Sequence, residues 1–424
     1  MTGAPTTPQR SALSGLRILD LTRILAGPWA TQVLADMGAE VIKIERPGEG
    51  DDTRSWGPPN MIDDAGRDHG AAYFHAANRG KKSVAVDIAH PDGQRLVRAL
   101  AAQADVVVEN FKVGGLAKYG LDYASLSTIK PDLVYCSITG FGQTGPYADQ
   151  AGYDFLVQGM GGMMSVTGQA DGTPGAEPMK TGVALTDLLT GLYAAIGILA
   201  ALRHRDATGQ GQHIDMSLLD VQVATLANQA TNFLATGIPP VRMGNAHPTI
   251  VPYQVFPTSD GHIILAIGND GQFARFCDVA GAPELALDPR FATNPGRVGN
   301  RDTLIPLLER LLAGRRLDDW IAALNTAKVP AGPINDIGRV FADPHVQARG
   351  MRTAPRTPDG HHLAGVASPL KLSQTPPIPP TAAPRLGSDT FAVLTGLLAG
   401  QGLDLDQLVL QGVIAGPAED GPAQ

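Results

Sequence analysis

The chain has 424 residues, more than one hydrophobic core usually supports, so two domains are expected. Its net charge of −8 and the lack of any long lysine–arginine run argue against nucleic acid as the main partner. The two cysteines, Cys136 and Cys277, lie far apart, which excludes a disulfide scaffold or a cysteine metal site and fits a reducing compartment.

Strands and helices alternate along the first 140 residues. Residues 16–21 predict a buried strand, 26–37 a helix and 39–45 a second strand, which together form a βαβ unit. The same alternation continues with strands at 83–87, 106–109 and 133–137 and helices at 92–103 and 123–129. This order predicts a parallel sheet covered on both faces, with ligands at the carboxyl ends of its strands.

The second half of the chain predicts a smaller domain. A helix over 187–203, a strand over 213–216 and a helix over 217–235 precede a change of character at 236–240. The following residues, up to about 329, predict a strand over 262–267 and helices over 271–280, 301–312 and 317–328. The N-terminus has no signal peptide, and the longest apolar stretch, 188–202, is too short to cross a bilayer, so we expect a soluble, cytoplasmic protein.

Asp187 is the one acidic residue in the run 181–191, TGVALTDLLTG. A lone carboxylate among apolar residues needs a partner or a function, because burying an unpaired charge is costly. Two interpretations stay open: the side chain caps the start of a helix, or it attacks an electrophilic carbonyl. A reference pKa of about 3.9 predicts that it is ionised at neutral pH without special tuning.

Several other polar positions are weak candidates for ligand contacts. The first strand–helix turn lacks GxGxxG, which argues against a nicotinamide cofactor. Arg46 follows Glu45 at the end of the second strand and suits a ribose phosphate, although a surface arginine is equally compatible. The basic turn at 78–82 could bind phosphates or a carboxylate, or be a solvated turn. No clustered metal ligands and no GxSxG or HExxH motif occur, so no metal is expected.

Seven segments together resemble one known family. They are LTRILAGP at 21–28, ADMGAEVIKIERPG at 35–48, GDDTR at 50–54, VENF at 108–111, SITGFGQTGP at 137–146, GYD at 152–154 and GNAHP at 244–248. Over roughly residues 13–410 the chain resembles the class III CoA-transferases, the family of formyl-CoA transferase and carnitine CoA-transferase. Within that family it is similar to the succinyl-CoA:glutarate branch.

The resemblance implies an architecture that no spacing argument would supply. It implies an α/β fold with a Rossmann-like large domain, a smaller inserted α/β domain and an obligate homodimer of interlocked chains. The expected boundaries are 13–235 for the first part of the large domain, 236–329 for the small domain and 330–414 for the segment that completes the large domain, with flexible tails at 1–12 and 415–424.

The resemblance also implies roles for individual residues. Asp187 would be the nucleophile that carries an aspartyl mixed anhydride and then an aspartyl-CoA thioester, with backbone N–H groups stabilising the oxyanions. CoA, a substrate rather than a bound cofactor, would be contacted by Arg23, Ile24, Leu25, Arg46, Val86, Asn110, Phe111 and Lys118. The acyl group and acceptor would be contacted by Trp56, Tyr73 and Arg79, with Arg23 or Arg79 binding the distal carboxylate of a dicarboxylate such as glutarate.

Departures from relatives limit what can be transferred. Formyl-CoA transferase has a glutamine where this chain has Leu25, a lysine where it has Ala89, and a tetraglycine loop that is missing between 236 and 270. These differences argue against formyl or oxalyl transfer. An α-methylacyl-CoA racemase is the nearest alternative, but relatives of that kind have a histidine where this chain has Tyr153. A carnitine-like, malate or citramalate acceptor, or a CoA-binding regulator without turnover, stays open.

Overall fold

The computed structural model describes residues 11–400 and 402–417. The flexible tails expected at 1–12 and 415–424 lie mostly outside these residues. Two short 3₁₀ helices span Asp52–Ser55 and Ala117–Tyr119. The strands are β1 Arg17–Asp20, β2 Glu40–Glu45, β3 Asn60–Ile62, β4 Asp68–Ala71, β5 Lys81–Val86, β6 Val106–Glu109, β7 Val134–Thr139, β8 Gln212–Ser217, β9 Tyr253–Pro257, β10 His262–Ala266, β11 Ala331–Pro333, β12 Arg352–Thr353, β13 Gly365–Val366 and β14 Ile414–Ala415.

The α-helices alternate with these strands in the first half of the chain and outnumber the strands in the second half. They are α1 Ala26–Asp36, α2 Ala72–Asn78, α3 Pro91–Ala101, α4 Tyr123–Ile129, α5 Asp154–Met160, α6 Met163–Val166, α7 Leu185–Thr208, α8 Leu218–Thr225, α9 Ala227–Thr236, α10 Asp270–Val279, α11 Glu284–Leu287, α12 Asn294–Gly299, α13 Arg301–Ala313, α14 Leu317–Thr326, α15 Ile337–Ala342, α16 Pro344–Ala348, α17 Thr390–Leu397 and α18 Leu405–Leu410.

A seven-stranded sheet forms the centre of the larger unit, with strand order β14-β5-β2-β1-β6-β7-β8. Every neighbouring pair is parallel except β14, which runs antiparallel to β5 at one edge. The chain leaves β1 towards β2 and β5 and later returns to β6 on the other side. The order of strands therefore reverses between β1 and β6, where a doubly wound sheet opens a crevice for ligands.

The sheet is buried on both faces, as the apolar strand runs predicted. Adjacent side chains of β1 point to opposite faces of the sheet. Ile18 belongs to a core with Ala30, Leu34 and Ile198, whereas Leu19 belongs to a second core that contains Leu100 of α3 and also residues of the C-terminal segment. The result is an α/β unit whose parallel-dominated sheet is covered on both sides.

The helix α7 is longer than the sequence indicated. It has 24 residues and, among residues 11–400 and 402–417, is the one helix long and apolar enough to cross a membrane. The expectation of a stretch too short to span a bilayer was therefore wrong. Ala194, Ile198 and Ala201 are buried in the same core as residues of α1, however, which is the environment of a core helix in a soluble protein.

The contacts divide the chain into two compact units. The described residues of the larger one lie within 11–163, 181–231 and 344–417, and the smaller one comprises Met164–Lys180 and Asn232–Asp343. The smaller unit thus includes a segment before α7 and extends beyond the expected boundary at 329. Its three-stranded antiparallel sheet has the order β11-β10-β9, and a separate apolar core packs around Phe256, Phe273 and Leu308.

Two further differences concern local structure. The helix expected over 217–235 is two helices, α8 and α9, which separate where Ala227 has a φ of 47°. The basic turn expected at 78–82 is not a solvated turn, because Asn78 and Lys81 are buried and Lys81 Nζ lies 3.0 Å from Asp20 Oδ2.

Candidate active site

The loops after β1 and β6 are bound to each other at the point where the strand order reverses. The backbone N–H of Arg23 donates to Asn110 Oδ1 at 2.9 Å, and Asn110 Nδ2 donates back to the carbonyl of Arg23 at 2.8 Å. The Arg23 guanidinium also lies 5.9 Å from the ring centre of Phe111 and pairs with Asp52 at 3.0 Å. Three of the residues expected to contact CoA are therefore held together by direct interactions.

The turn after β1 has an unusual backbone conformation. Ile24 has a φ of 72°, in the left-handed region that a β-branched residue rarely adopts. Its N–H donates to Asp51 Oδ1 at 3.3 Å. Leu25 follows at the start of α1 as its N-terminal cap residue, without a side-chain cap bond. Such strain persists only where surrounding contacts enforce it, and it concentrates at functional sites.

Two cavities open beside this turn, and both are lined entirely by residues of the larger unit. One has a volume of about 470 Å³ and includes Asp187 in its wall, and the other has a volume of about 700 Å³. Arg23, Phe111 and Tyr119 line both cavities, so the two adjoin each other, and together they are called the path.

All eight residues expected to contact CoA line this path. The smaller cavity contains Ile24, Leu25, Asn110 and Lys118, the larger one contains Arg46 and Val86, and Arg23 and Phe111 belong to both. Arg46 pairs with Glu49 at 3.0 Å and is largely exposed, and Lys118 Nζ lies 4.7 Å from the ring centre of Tyr119. Each of the two cavities thus has a cationic side chain in its wall besides Arg23.

Asp187 lies in the first turn of α7 and is half-buried, but it does not cap the helix. The cap residue is Ala184, which makes no side-chain bond. Instead Asp154 Oδ1 accepts the N–H groups of Thr186 at 2.9 Å and Asp187 at 3.2 Å. The capping interpretation of Asp187 is therefore wrong, because a carboxylate from another helix occupies that position. These two N–H groups are also already bonded and are not free to stabilise an oxyanion.

The electrostatic environment of Asp187 differs from the sequence-based expectation. Burial, together with the nearby carboxylate of Asp154, raises the pKa of Asp187 from 3.8 to about 7. The expectation of full ionisation without special tuning was therefore wrong. At neutral pH a substantial fraction of this carboxyl is protonated, and its ionised form is held at elevated free energy.

The three residues expected to contact the acyl group and acceptor are not in one place. Trp56 and Tyr73 pack edge to face with ring centres 5.0 Å apart. Burial and the nearby charge of Asp187 raise the pKa of Tyr73, so the Tyr73 hydroxyl lies near Asp187. Arg79 lies elsewhere, and its guanidinium pairs with Asp36. None of the three residues lines either cavity.

Sequence reasoning missed several residues that shape the site. Asp154 follows Tyr153 in the GYD segment, but the sequence predicted no role for it. Gly140 and Gly152 both line the smaller cavity, and a Cβ added at Gly140 would lie 2.5 Å from the Cα of Gly152. Both glycines fall in segments that carry the family resemblance, and their close backbone contact is the physical reason why no side chain fits there.

The family model for CoA-transferase family III matches residues 13–390. This chain belongs to that family. It is 54% identical to the succinate–glutarate CoA-transferase of Agrobacterium fabrum over 389 residues, covering 92% of this chain and 96% of that protein. It is 43% identical to the succinyl-CoA:glutarate CoA-transferase of Mus musculus, covering 95% and 90%.

A solved structure agrees with this assignment. A CaiB/BaiF family protein from Brucella suis shares 53% identity with this CoA-transferase and superposes with a TM-score of 0.80, covering 92% of this chain and 100% of that one. The family assignment identifies the chain as an enzyme that uses CoA thioesters as substrates, and the α/β fold with its parallel-dominated sheet agrees with that of its structural relative.

Proposed function

We propose that this CoA-transferase moves CoA from succinyl-CoA to a dicarboxylate such as glutarate, with Asp187 as the covalent nucleophile. The proposal rests on one observation. Asp187 lies in the wall of a cavity of about 470 Å³, and this cavity adjoins a second one that is lined by Arg46. The printed activities of the Agrobacterium and mouse relatives support the choice of donor and acceptor.

The proposed reaction has four balanced steps. A carboxylate oxygen of Asp187 bonds to the thioester carbonyl carbon, and the C–S bond breaks to give a mixed anhydride and CoA thiolate. The thiolate attacks the Asp187 carbonyl, which forms an aspartyl-CoA thioester and releases succinate. The acceptor carboxylate then displaces the thiolate to form a second anhydride. The thiolate finally attacks the acceptor carbonyl, yielding the new acyl-CoA and the free Asp187 carboxylate.

The environment of Asp187 favours the covalent steps. Its ionised form is destabilised by burial and by Asp154, whereas the anhydride and the thioester at this position carry no charge on the aspartyl group. Acylation therefore removes an unfavourable charge from a partly desolvated place. This contributes to forming the covalent intermediates once the carboxylate is ionised.

We assign the CoA moiety to the path formed by the two cavities. Arg46 would bind the ribose phosphate at one end, Asn110 and Phe111 would contact the middle, and Lys118 would bind near the diphosphate. For the distal carboxylate of the acceptor, Arg23 is favoured over Arg79. Arg23 lines the cavity that contains Asp187, and its ion pair with Asp52 is exposed, whereas Arg79 lines neither cavity and its guanidinium is largely buried against Asp36.

The proposal is tested by trapping the acyl-enzyme. Wild-type protein incubated with succinyl-CoA and then hydroxylamine should be modified at Asp187, as read by peptide mass spectrometry, and D187A should lose both the modification and CoA exchange. D206A is the matched control, since Asp206 is an exposed aspartate near the other end of α7. Modification at another residue, or exchange by D187A, would contradict the proposal.

The choice of acceptor needs a separate measurement. A panel of glutarate, 3-hydroxy-3-methylglutarate, malate, citramalate, itaconate and carnitine with succinyl-CoA, read by mass spectrometry, should give fastest turnover with a dicarboxylate. Reaction with carnitine alone would refute the dicarboxylate assignment. Deuterium uptake at the α-carbon of a chiral 2-methylacyl-CoA in deuterated water would instead support the racemase alternative.

We also propose that the enzyme is a cytoplasmic homodimer of interlocked chains in which the small unit is inserted into the large one. Phe155, Tyr193 and Ile196 on α5 and α7 expose 57%, 43% and 62% of their surfaces, an apolar area that a second subunit would cover. Light scattering of the purified protein should give the mass of two chains. A monomer with full activity would refute this part of the proposal.

A further inference from the structure

Lys43 is a lysine with no exposed side-chain surface in the middle of β2. Its Nζ atom lies 2.9 Å from Asp51 Oδ2 and donates to the carbonyl of Thr22 at 2.7 Å. Asp20 and Glu45 are further carboxylates whose charges act on it. Lys43 thus connects the turn after β1 with the loop after β2, and these two segments contribute to the walls of the larger cavity.

Asp51 connects the same two segments from the other side. Its Oδ1 atom accepts the N–H of Thr53 at 3.0 Å, the Thr53 hydroxyl at 2.7 Å and the N–H of Ile24 at 3.3 Å. Its own N–H donates to Glu45 Oε2 at 3.0 Å. One fully buried carboxylate therefore starts the 3₁₀ helix at Asp52–Ser55 and binds the backbone of the turn after β1.

The residue bound in this way is the one whose backbone is strained. Ile24 adopts a φ of 72°, a conformation that is strained for a β-branched residue and persists only where surrounding contacts enforce it. The two residues that precede Ile24 are fixed, since the carbonyl of Thr22 accepts from Lys43 and the backbone of Arg23 is bonded to Asn110. The ion pair and its hydrogen bonds supply the constraint that keeps Ile24 in this conformation.

Stability alone does not account for a fully buried ion pair. The desolvation of two charges offsets much of their attraction, and apolar replacements are often neutral or stabilising. A buried ion pair also constrains the relative position of the two segments that carry its charges. Here those segments line the proposed acyl-CoA path, with Ile24 in the cavity of Asp187 and Lys43 and Asp51 in the neighbouring one.

We propose that Lys43 and Asp51 are positioning residues for acyl-CoA binding, because their ion pair holds the turn Thr22–Leu25 in the conformation that the thioester requires. The inference rests on the proposed placement of CoA in the two cavities. Neither residue takes part in the covalent steps, so the expected effect of removing the pair is weaker binding of CoA rather than loss of the acyl-enzyme.

The test compares K43M, D51N and the double variant K43M/D51N. K43M leaves the buried Asp51 without its cation, and D51N leaves Lys43 with only the charges of Asp20 and Glu45, so each single change should destabilise the fold. The double change removes both charges of the pair and should recover most of that loss in urea unfolding. K82M is the matched control, because Lys82 forms an exposed ion pair with Glu40 on neighbouring strands, away from the cavities. Calorimetric titration with CoA and steady-state kinetics complete the comparison.

We expect the double variant to unfold close to wild type, yet to bind CoA about tenfold more weakly and to show a raised KM for succinyl-CoA. We also expect the effect on CoA affinity to be smaller in the presence of I24G, because glycine adopts a positive φ at little cost. If the double variant does not fold, D51N alone is compared with and without I24G.

Two results would overturn the inference. One is a stable double variant that binds CoA like wild type, and the other is an equal loss of affinity with and without I24G, which would indicate a purely structural pair. Wild-type protein that neither binds CoA in these cavities nor transfers it would instead contradict the proposed function, so the two failures are distinguishable.

Discussion

Replacing Asp154 with asparagine should change the pH dependence of this CoA-transferase. Asp154 Oδ1 accepts the N–H groups of Thr186 and Asp187, and Oδ2 accepts from Gln158 Nε2 at 2.7 Å. Asparagine has the same size and its amide oxygen can keep the first two bonds, while the negative charge beside the nucleophile is lost. The substitution therefore removes the charge while keeping the two bonds to α7, and it also loses the bond from Gln158 Nε2, because the asparagine amide nitrogen cannot accept it.

The magnitude follows from the pKa of Asp187. That pKa is about 7 against an ordinary 3.8, a difference of about 3, or about 4 kcal/mol, between the ionised and neutral forms. Burial is the larger cause and Asp154 the smaller, so D154N should lower the pKa by less than half of the difference, at most about 1.5. At pH 6 the ionised fraction would then rise from about one tenth to at most about three quarters.

The assay is kcat/KM for succinyl-CoA between pH 5 and 9, because this parameter reports ionisations of the free enzyme. Wild-type activity should rise with pH through about 7, since Asp187 attacks only when ionised. In D154N the midpoint should move to lower pH, whereas D206N should leave it in place. A midpoint that stays unchanged in D154N, or moves to higher pH, would refute the assigned role of the Asp154 charge.

Two further predictions concern stability and binding. Because the folded-state pKa of Asp187 lies above its unfolded value, its ionisation reduces stability as pH rises from about 4 to about 7. The stability gain of D187N over wild type in urea unfolding should therefore be about 2–3 kcal/mol larger at pH 8 than at pH 5, and equal gains at both would contradict this. N110A removes both bonds to the Arg23 backbone and should weaken CoA binding by about 1–2 kcal/mol with little effect on the midpoint of the pH profile, as titration calorimetry and kinetics would show; unchanged affinity would exclude a role for this contact.

The sequence supplied the parts of the site that depend on local pattern. Alternation of apolar strands and helices predicted β1, β2 and β6 to within two residues at either end, and their carboxyl ends are where the cavities lie. Six of the eight residues expected to contact CoA lie in turns or at strand ends within contiguous motifs, whereas Val86 and Lys118 lie outside those motifs. For such positions, local structure determines the direction of the side chain.

What the sequence could not supply depends on distant segments. The pKa of Asp187 is raised by burial and by a residue 33 positions earlier, and neither effect has a local signature. Arg79 looked free to bind a carboxylate, but Asp36, 43 residues earlier, pairs with it. The assignment of 164–180 to the smaller unit likewise depends on long-range packing, as shown by the bond between Asp171 and the backbone of Arg242.

The antiparallel pairing of β14 with β5 has a consequence for biosynthesis. Strand β5 ends at Val86, but its outer hydrogen-bonding edge is covered by residues made much later: Asp389 and Thr390 bond to the backbone of Ser83 and Ala85, and β14 pairs with Ala85 and Val86. For most of translation the nascent chain therefore presents an open strand edge, the kind of surface that pairs with other chains. A premature stop shortly before codon 414 would leave the end of that edge, at Ala85 and Val86, without its paired strand, and the truncated product would be more prone to aggregate although every residue of the cavity walls had been made.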